Sequence, residues 1–207
     1  MKAPYSIADK ELKDYSDQHL KYELDMLIWC TGLLLPLIDV KGNGYIPWAV
    51  NNAVMNSYSI HARNLIDFLY LRSLGKDRKT DIIVEDFIEP SKLAENLPPI
   101  SPLLEETKRK ADKQVAHLTT DRIQFEEKGK EWKFVEIAFK ILNTFNKIST
   151  LFPPERTGDT FFSLISNKQL IVPLVKAEVV QNKQFTYIGV TMRLVTNDDP
   201  NSIMDTS

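Results

Sequence analysis

The stretch between Pro47 and Gly75 leaves this chain little choice of fold. Trp48 to Leu74 spans about seven turns of helix and is apolar on nearly every side, through Val50, Ala53, Val54, Tyr58, Leu65, Ile66, Phe68 and Leu69. A helix with no polar face has to be covered all round, so this one is expected at the centre of the molecule. Its ends are marked as well. Lys41-Gly42-Asn43-Gly44 is a turn whose glycines and asparagine tolerate positive φ, Pro47 suits a first helical turn, and Gly75 suits a helix stop.

The flanking segments supply partners for it. Ala8 to Leu35 reads as a first helix with Leu12, Tyr15, His19, Tyr22, Met26, Trp29 and Leu33 on its inner face, ended or kinked by Pro36. In this reading His19 is a core residue. Ser101-Pro102 begins a third helix running to about Phe125, with Leu104, Ala111, Val115 and Leu118 inward. Glu131 to Leu151 is the most clearly amphipathic segment, through Trp132, Val135, Phe139, Leu142, Phe145 and Ile148, and Pro153-Pro154 closes it. Lys76 to Pro99 is a long connection with a short helix near Pro90 to Asn96, and its length suggests a lid, a packed excursion or a mobile segment.

Thr160 to Ile165 reads as another short helix. Leu170 to Val175 and Phe185 to Val195 carry the β-branched and aromatic residues of strands, joined near Gln181-Asn182-Lys183. The expected fold is therefore all-α, an up-and-down bundle of four or five helices with a small C-terminal β appendage. Residues 1–195 would form one domain and 196–207 a loose polar tail. With 43% hydrophobic and 26% charged residues the chain can build an ordinary packed core.

Composition excludes some functions. A net charge of −2 gives no global attraction to nucleic acid or anionic lipid, so such binding would need a local patch. Met26 to Val40 contains Pro36 and Asp39 and falls short of the roughly 20 apolar residues of a membrane span. Cys30, the single cysteine, rules out an intrachain disulfide and suits a reducing compartment. No membrane association and a cytoplasmic location are expected. No glycine-rich phosphate loop, HExxH, CxxC or GxSxG occurs, so neither a metal nor another cofactor is expected.

Three polar groups remain as candidates. Tyr58, His61, Arg63, Asn64 and Asp67 sit in the central helix, where an unpartnered buried polar group costs about 1–3 kcal/mol. Arg63 and Asp67 are four apart and can pair, and a structural network fixing helix register is one reading of the group. On the third helix Lys113, His117 and Asp121 recur at intervals of four, so the carboxylate can orient the imidazole for acid or base work. Lys108, Arg109 and Lys110 form a dense basic run, either a contact for a phosphate backbone or a solvated helix face.

In the His61 to Leu69 and Lys110 to Arg122 runs the chain resembles the HEPN-like all-helical proteins, a divergent prokaryotic group. The resemblance covers about Tyr5 to Leu151. Its signature is an arginine, a polar residue, and a histidine a few residues on. His117, led in by Val115-Ala116, matches the histidine, but Asp112 and Lys113 stand where the nearest arginine is expected. An Arg-Asn pair occurs instead at Arg63-Asn64. The resemblance implies a homodimer of toxin or defence type and a metal-independent attack of an RNA 2′-OH on the adjacent phosphate. His117 would move the proton, Arg63 or Lys113 would stabilise the phosphate charge, and Lys108, Arg109 and Lys110 would hold RNA. It also accommodates a non-catalytic relative that binds RNA or a partner protein. Rival readings are a scaffold whose polar helix residues serve only folding and dimerisation, and a bundle that binds a small molecule in a pocket lined by His61, Arg63 and His117 between the second and third helices.

Overall fold

The computed structural model describes residues 7–39, 45–75, 80–115, 132–167, 172–181 and 186–195, with side chains described over 7–34, 49–75, 80–113 and 132–167. The chain is mostly helical. Helix α1 (Asp9–Tyr15) passes through a π turn (Ser16–Leu20) into α2 (Lys21–Asp39), and α3 (Tyr45–Tyr70) follows. Two short helices, α4 (Val84–Phe87) and α5 (Pro90–Asn96), precede α6 (Pro102–Lys110), which continues into a second π turn (Ala111–Val115). Then come α7 (Phe134–Ile148), a 3-10 turn (Ser149–Leu151), α8 (Asp159–Ser166), and the extended segments β1 (Val172–Gln181) and β2 (Thr186–Val195). β1 and β2 pair antiparallel, with Val172 opposite Val195 and Gln181 opposite Thr186. The residues that link them, like 196–207, lie outside the described residues.

Helix α3 sits centrally, as its apolar circumference requires. Tyr58, Ala62, Leu65 and Ile66 are wholly buried, and α2, α6, the second π turn and α7 all pack on it. The Tyr58 hydroxyl donates to the carbonyl of Phe134 at 2.8 Å, which satisfies a buried phenol and ties α3 to the start of α7. Phe68 stacks on Phe145 with centroids 5.8 Å apart, and Phe87 and Phe161 meet this pair edge-on. One buried cluster thus runs from Leu12 on α1 to Ile165 on α8.

The inner face of the first helix differs from its sequence-based assignment. Leu12, Ser16, Leu20, Leu24, Leu27 and Leu34 are buried, whereas Tyr22 and Trp29 are 52% and 45% exposed. His19 is also exposed and rests on the Tyr15 ring, so it is not a core residue. The departure falls at the π turn (Ser16–Leu20), whose wider turn admits an extra residue: Leu20, Leu27, Cys30 and Leu34 take the inward places expected of His19, Met26, Trp29 and Leu33, and Leu24 stands two residues past Tyr22. The helix also runs on through Pro36 to Asp39; the missing N–H falls in the last turn, where it removes only one backbone bond.

The other boundaries follow local chemistry. Ser101 accepts the Leu104 N–H as N-cap of α6, with Pro102 in the first turn. Gly75 adopts φ +68°, the left-handed geometry that closes the turns after α3. The connection after it is a packed excursion over its described part, because Ile83, Val84, Phe87, Ile88 and Leu93 are all buried in it. The burial stripe of α7 centres on Phe134, Ile137, Ile141, Phe145 and Ile148, while Val135 and Phe139 sit half-buried on its flank.

Candidate functional site

The polar groups of α3 divide into two interhelical clusters. In the first, Glu23 of α2 faces α3, and its Oε2 lies 2.8 Å from His61 Nδ1 and 3.2 Å from Asn64 Nδ2. The His61 side chain is only 10% exposed, and the edge of the Tyr22 ring covers it. A carboxylate on one ring nitrogen fixes the imidazole's orientation and satisfies a group that would otherwise be buried without a partner.

The second cluster is built of four charges. The Arg63 Nε pairs with Asp112 of the second π turn and lies 3.9 Å from Asp67. Lys108 of α6 points its ammonium inward, 5% exposed, and reaches Asp67 Oδ2 at 2.9 Å and both oxygens of Asp112 at 2.9 Å. Two cations and two carboxylates alternate, so the one buried charge, the Lys108 ammonium, has an opposite neighbour on either side, while Arg63, Asp67 and Asp112 are partly exposed.

Between the two clusters an open cleft of about 360 Å³ is lined by Tyr15, Glu23, Arg63, Asn64, Asp67 and Phe68 and by the segment Thr80 to Ile83. Burial raises the Tyr15 phenol above its ordinary titration range, and the negative charges of Glu23 and Asp81 push it the same way. Among the described residues no group of three or more His, Cys, Asp or Glu side chains is placed to hold a metal ion, and no helix is long and apolar enough to cross a membrane.

Of the residues singled out in the sequence, Arg63, Asn64 and Asp67 come together at this cleft, and His61 stands behind Glu23. Tyr58 belongs to the core instead. His117 and Asp121 lie outside the described residues; Lys113 is exposed on the second π turn. The basic run does not act as one surface. Lys108 is buried between carboxylates, Arg109 grips Glu106 through two 2.7 Å hydrogen bonds, and the Lys110 ammonium lies 6.0 Å from the centre of the Trp132 ring. Lys108 therefore corrects the picture of a solvated or phosphate-binding face. Its sequence position already held the signal, since it stands four residues after Leu104 and three before Ala111, on the inward stripe.

Glu23 and Asp112 escaped the reading of the sequence as site residues. Glu23 adjoins Tyr22, which had been put on the inner face, and only the phase shift at Ser16–Leu20 turns it toward α3. Asp112 stood out as a departure from the HEPN signature and not as a partner for Arg63. No family model matches this chain, and no curated protein or solved structure does so either.

Proposed function

We propose that the chain is a HEPN-like protein of non-catalytic type whose cleft beside Arg63 and Asn64 binds a small molecule. In this proposal the helices form an up-and-down bundle, the strand pair is its C-terminal appendage, and the protein works as a cytoplasmic homodimer. The observation that carries the reading is the closed charge network next to an open cleft. Arg63 and Lys108 are both neutralised by Asp67 and Asp112, so a polyanion such as RNA would have to displace carboxylates already in place. The cleft, about 360 Å³ with the Tyr15 and Phe68 rings among its lining, is large enough for a small molecule. Native mass spectrometry of the gently purified chain tests it: a bound small molecule supports the reading, provided Arg63→Ala or Asp67→Ala loses it, and a bound species indifferent to both substitutions counts against it.

A second reading, metal-independent RNA cleavage, is favoured by one contact. Asp112 touches Arg63, and His117 follows Asp112 by five residues in the sequence. Here His117 acts as base and Arg63 or Lys113 stabilises the phosphate charge. Cleavage of unstructured RNA in chelator by the wild-type chain, absent in His117→Ala, would support this alternative, and intact RNA in both samples would remove it.

A further inference from the structure

We propose that the outward face shared by α2 and α3 docks a second copy of this chain about a two-fold axis. This rests on the homodimer in the reading above and assigns its contact. Helix α2 carries two apolar stripes. Leu20, Leu24, Leu27 and Leu34 are buried in the core. Tyr22, Met26, Trp29 and Leu33 recur at helical spacing on another side, Tyr22 and Trp29 exposed and the other two half-buried. A helix apolar on two sides needs a cover for each. β1 packs on α2 as well, yet Trp29 stays 45% exposed with it in place.

Helix α3 widens the second stripe into a face. The two helices run antiparallel, since Glu23 meets His61 and Cys30 meets Ser57. In that register Tyr22, in ring contact with His61, is level with Ile60, and Trp29 and Leu33 are level with the turns from Val50 to Ser57. Val50, Ala53 and Ile60 are all exposed, and counting helical phase from the residues that touch across the pair turns them to the same side as Trp29. Neither helix brings charge to this face: no Asp, Glu, Lys or Arg occurs from Met26 to Ile38 or from Tyr45 to Ala62. That neutrality selects the occupant. A two-fold contact sets a surface against its own image, where a charge would meet its like. A face complementary to itself is therefore neutral, and its polar groups are ones that both donate and accept, as the exposed Asn56 amide does. Lipid would leave that amide without a partner, whereas tryptophan and tyrosine are the usual anchors of protein contacts.

Sedimentation velocity of the full chain over a dilution series tests this. A dimer should form and should persist at high salt, because the contact holds no charge to screen. Trp29→Lys and Ile60→Lys, which set like charges against each other, should each weaken it by about thirtyfold or more. Both residues are exposed, so the helical circular dichroism should not change. Phe162→Lys, at an exposed ring on α8, should leave the dimer intact. Where one substitution impairs folding, the other and the salt series carry the test. A dimer indifferent to both substitutions, or one that salt dissociates, overturns the assigned face and leaves the homodimer standing. A chain that stays monomeric overturns both, and sedimentation of that monomer with phosphatidylcholine vesicles would assign the face to lipid instead. The mass-spectrometric experiment decides separately whether the cleft holds a ligand.

Discussion

His61 Nδ1 and Glu23 Oε2 stand 2.8 Å apart across the contact between α2 and α3, and Asn64 donates to the same oxygen. This pairing holds the two long helices in register, because sliding either by one residue would strand a buried imidazole. Glu23→Ala removes the acceptor from both partners and should destabilise the chain by about 1–3 kcal/mol in urea denaturation, while Asn64→Ala, on a more exposed partner, should change it by less than about 1 kcal/mol. Equal effects would mean that Glu23 acts through packing and not through His61.

Lys108 makes a stricter demand. Its ammonium is the only described group between Asp67 and Asp112 that reaches both at hydrogen-bond distance. Lys108→Met keeps the stem but leaves two carboxylates facing each other, so a loss of about 3–5 kcal/mol is expected. Adding Asp67→Asn and Asp112→Asn to Lys108→Met should recover part of that loss. Denaturant melts of the single and triple variants measure this, and a triple variant no better than the single one would refute the charge argument.

Much of the helical layout was legible in local chemistry. The caps at Ser101 and Gly75, the short helix at Pro90 to Asn96 and the central place of α3 all follow from short-range rules that the surroundings do not override. The first helix was misread for the opposite reason. Leu12, Tyr15, His19, Tyr22 and Trp29 keep regular helical spacing, so periodicity alone prefers them, yet Ser16, Leu20, Leu24 and Leu27 form a competing stripe one or two residues later. What chooses between the stripes is a long-range contact. Ser16 and Asp17 bind the start of α8, more than 140 residues away, and no local pattern announces it. The candidate site was half legible: Arg63, Asn64 and Asp67 stood out as polar groups in an apolar helix, but their partners on other helices did not.

That long-range contact has its own test. Gly158 donates its N–H to Ser16 Oγ at 2.8 Å, and Asp17 accepts from Thr160 Oγ1 and the Phe161 N–H. A Cβ on Gly158 would overlap the Asp17 carboxylate, although the backbone there, at φ −68°, suits any residue. Gly158→Ala should therefore cost about 1–3 kcal/mol by collision and not by backbone strain. The effect should be strongly non-additive with Asp17→Ala, since removing the carboxylate removes the obstacle. Additive losses in a double-mutant cycle would show that the glycine is needed for something else.

Tyr58 should govern stability at alkaline pH. Burial pushes its phenol well above the ordinary 10.0, and the Cys30 charge adds to the shift. A phenol that titrates higher in the folded chain than in the unfolded one contributes its full stabilisation below the unfolded value of about 10 and loses it as pH rises toward the folded value. The folded protein thus binds more protons than the unfolded one in that window, and stability must fall with rising pH. Tyr58→Phe removes the group that titrates, so its stability should depend less steeply on pH above 10. It should also start about 1–2 kcal/mol lower at neutral pH, because the Phe134 carbonyl loses its donor. Urea melts of both proteins between pH 8 and 11 separate these two effects: parallel curves would mean that another group controls the alkaline loss, and equal neutral stabilities would mean that the hydrogen bond to Phe134 contributes nothing net.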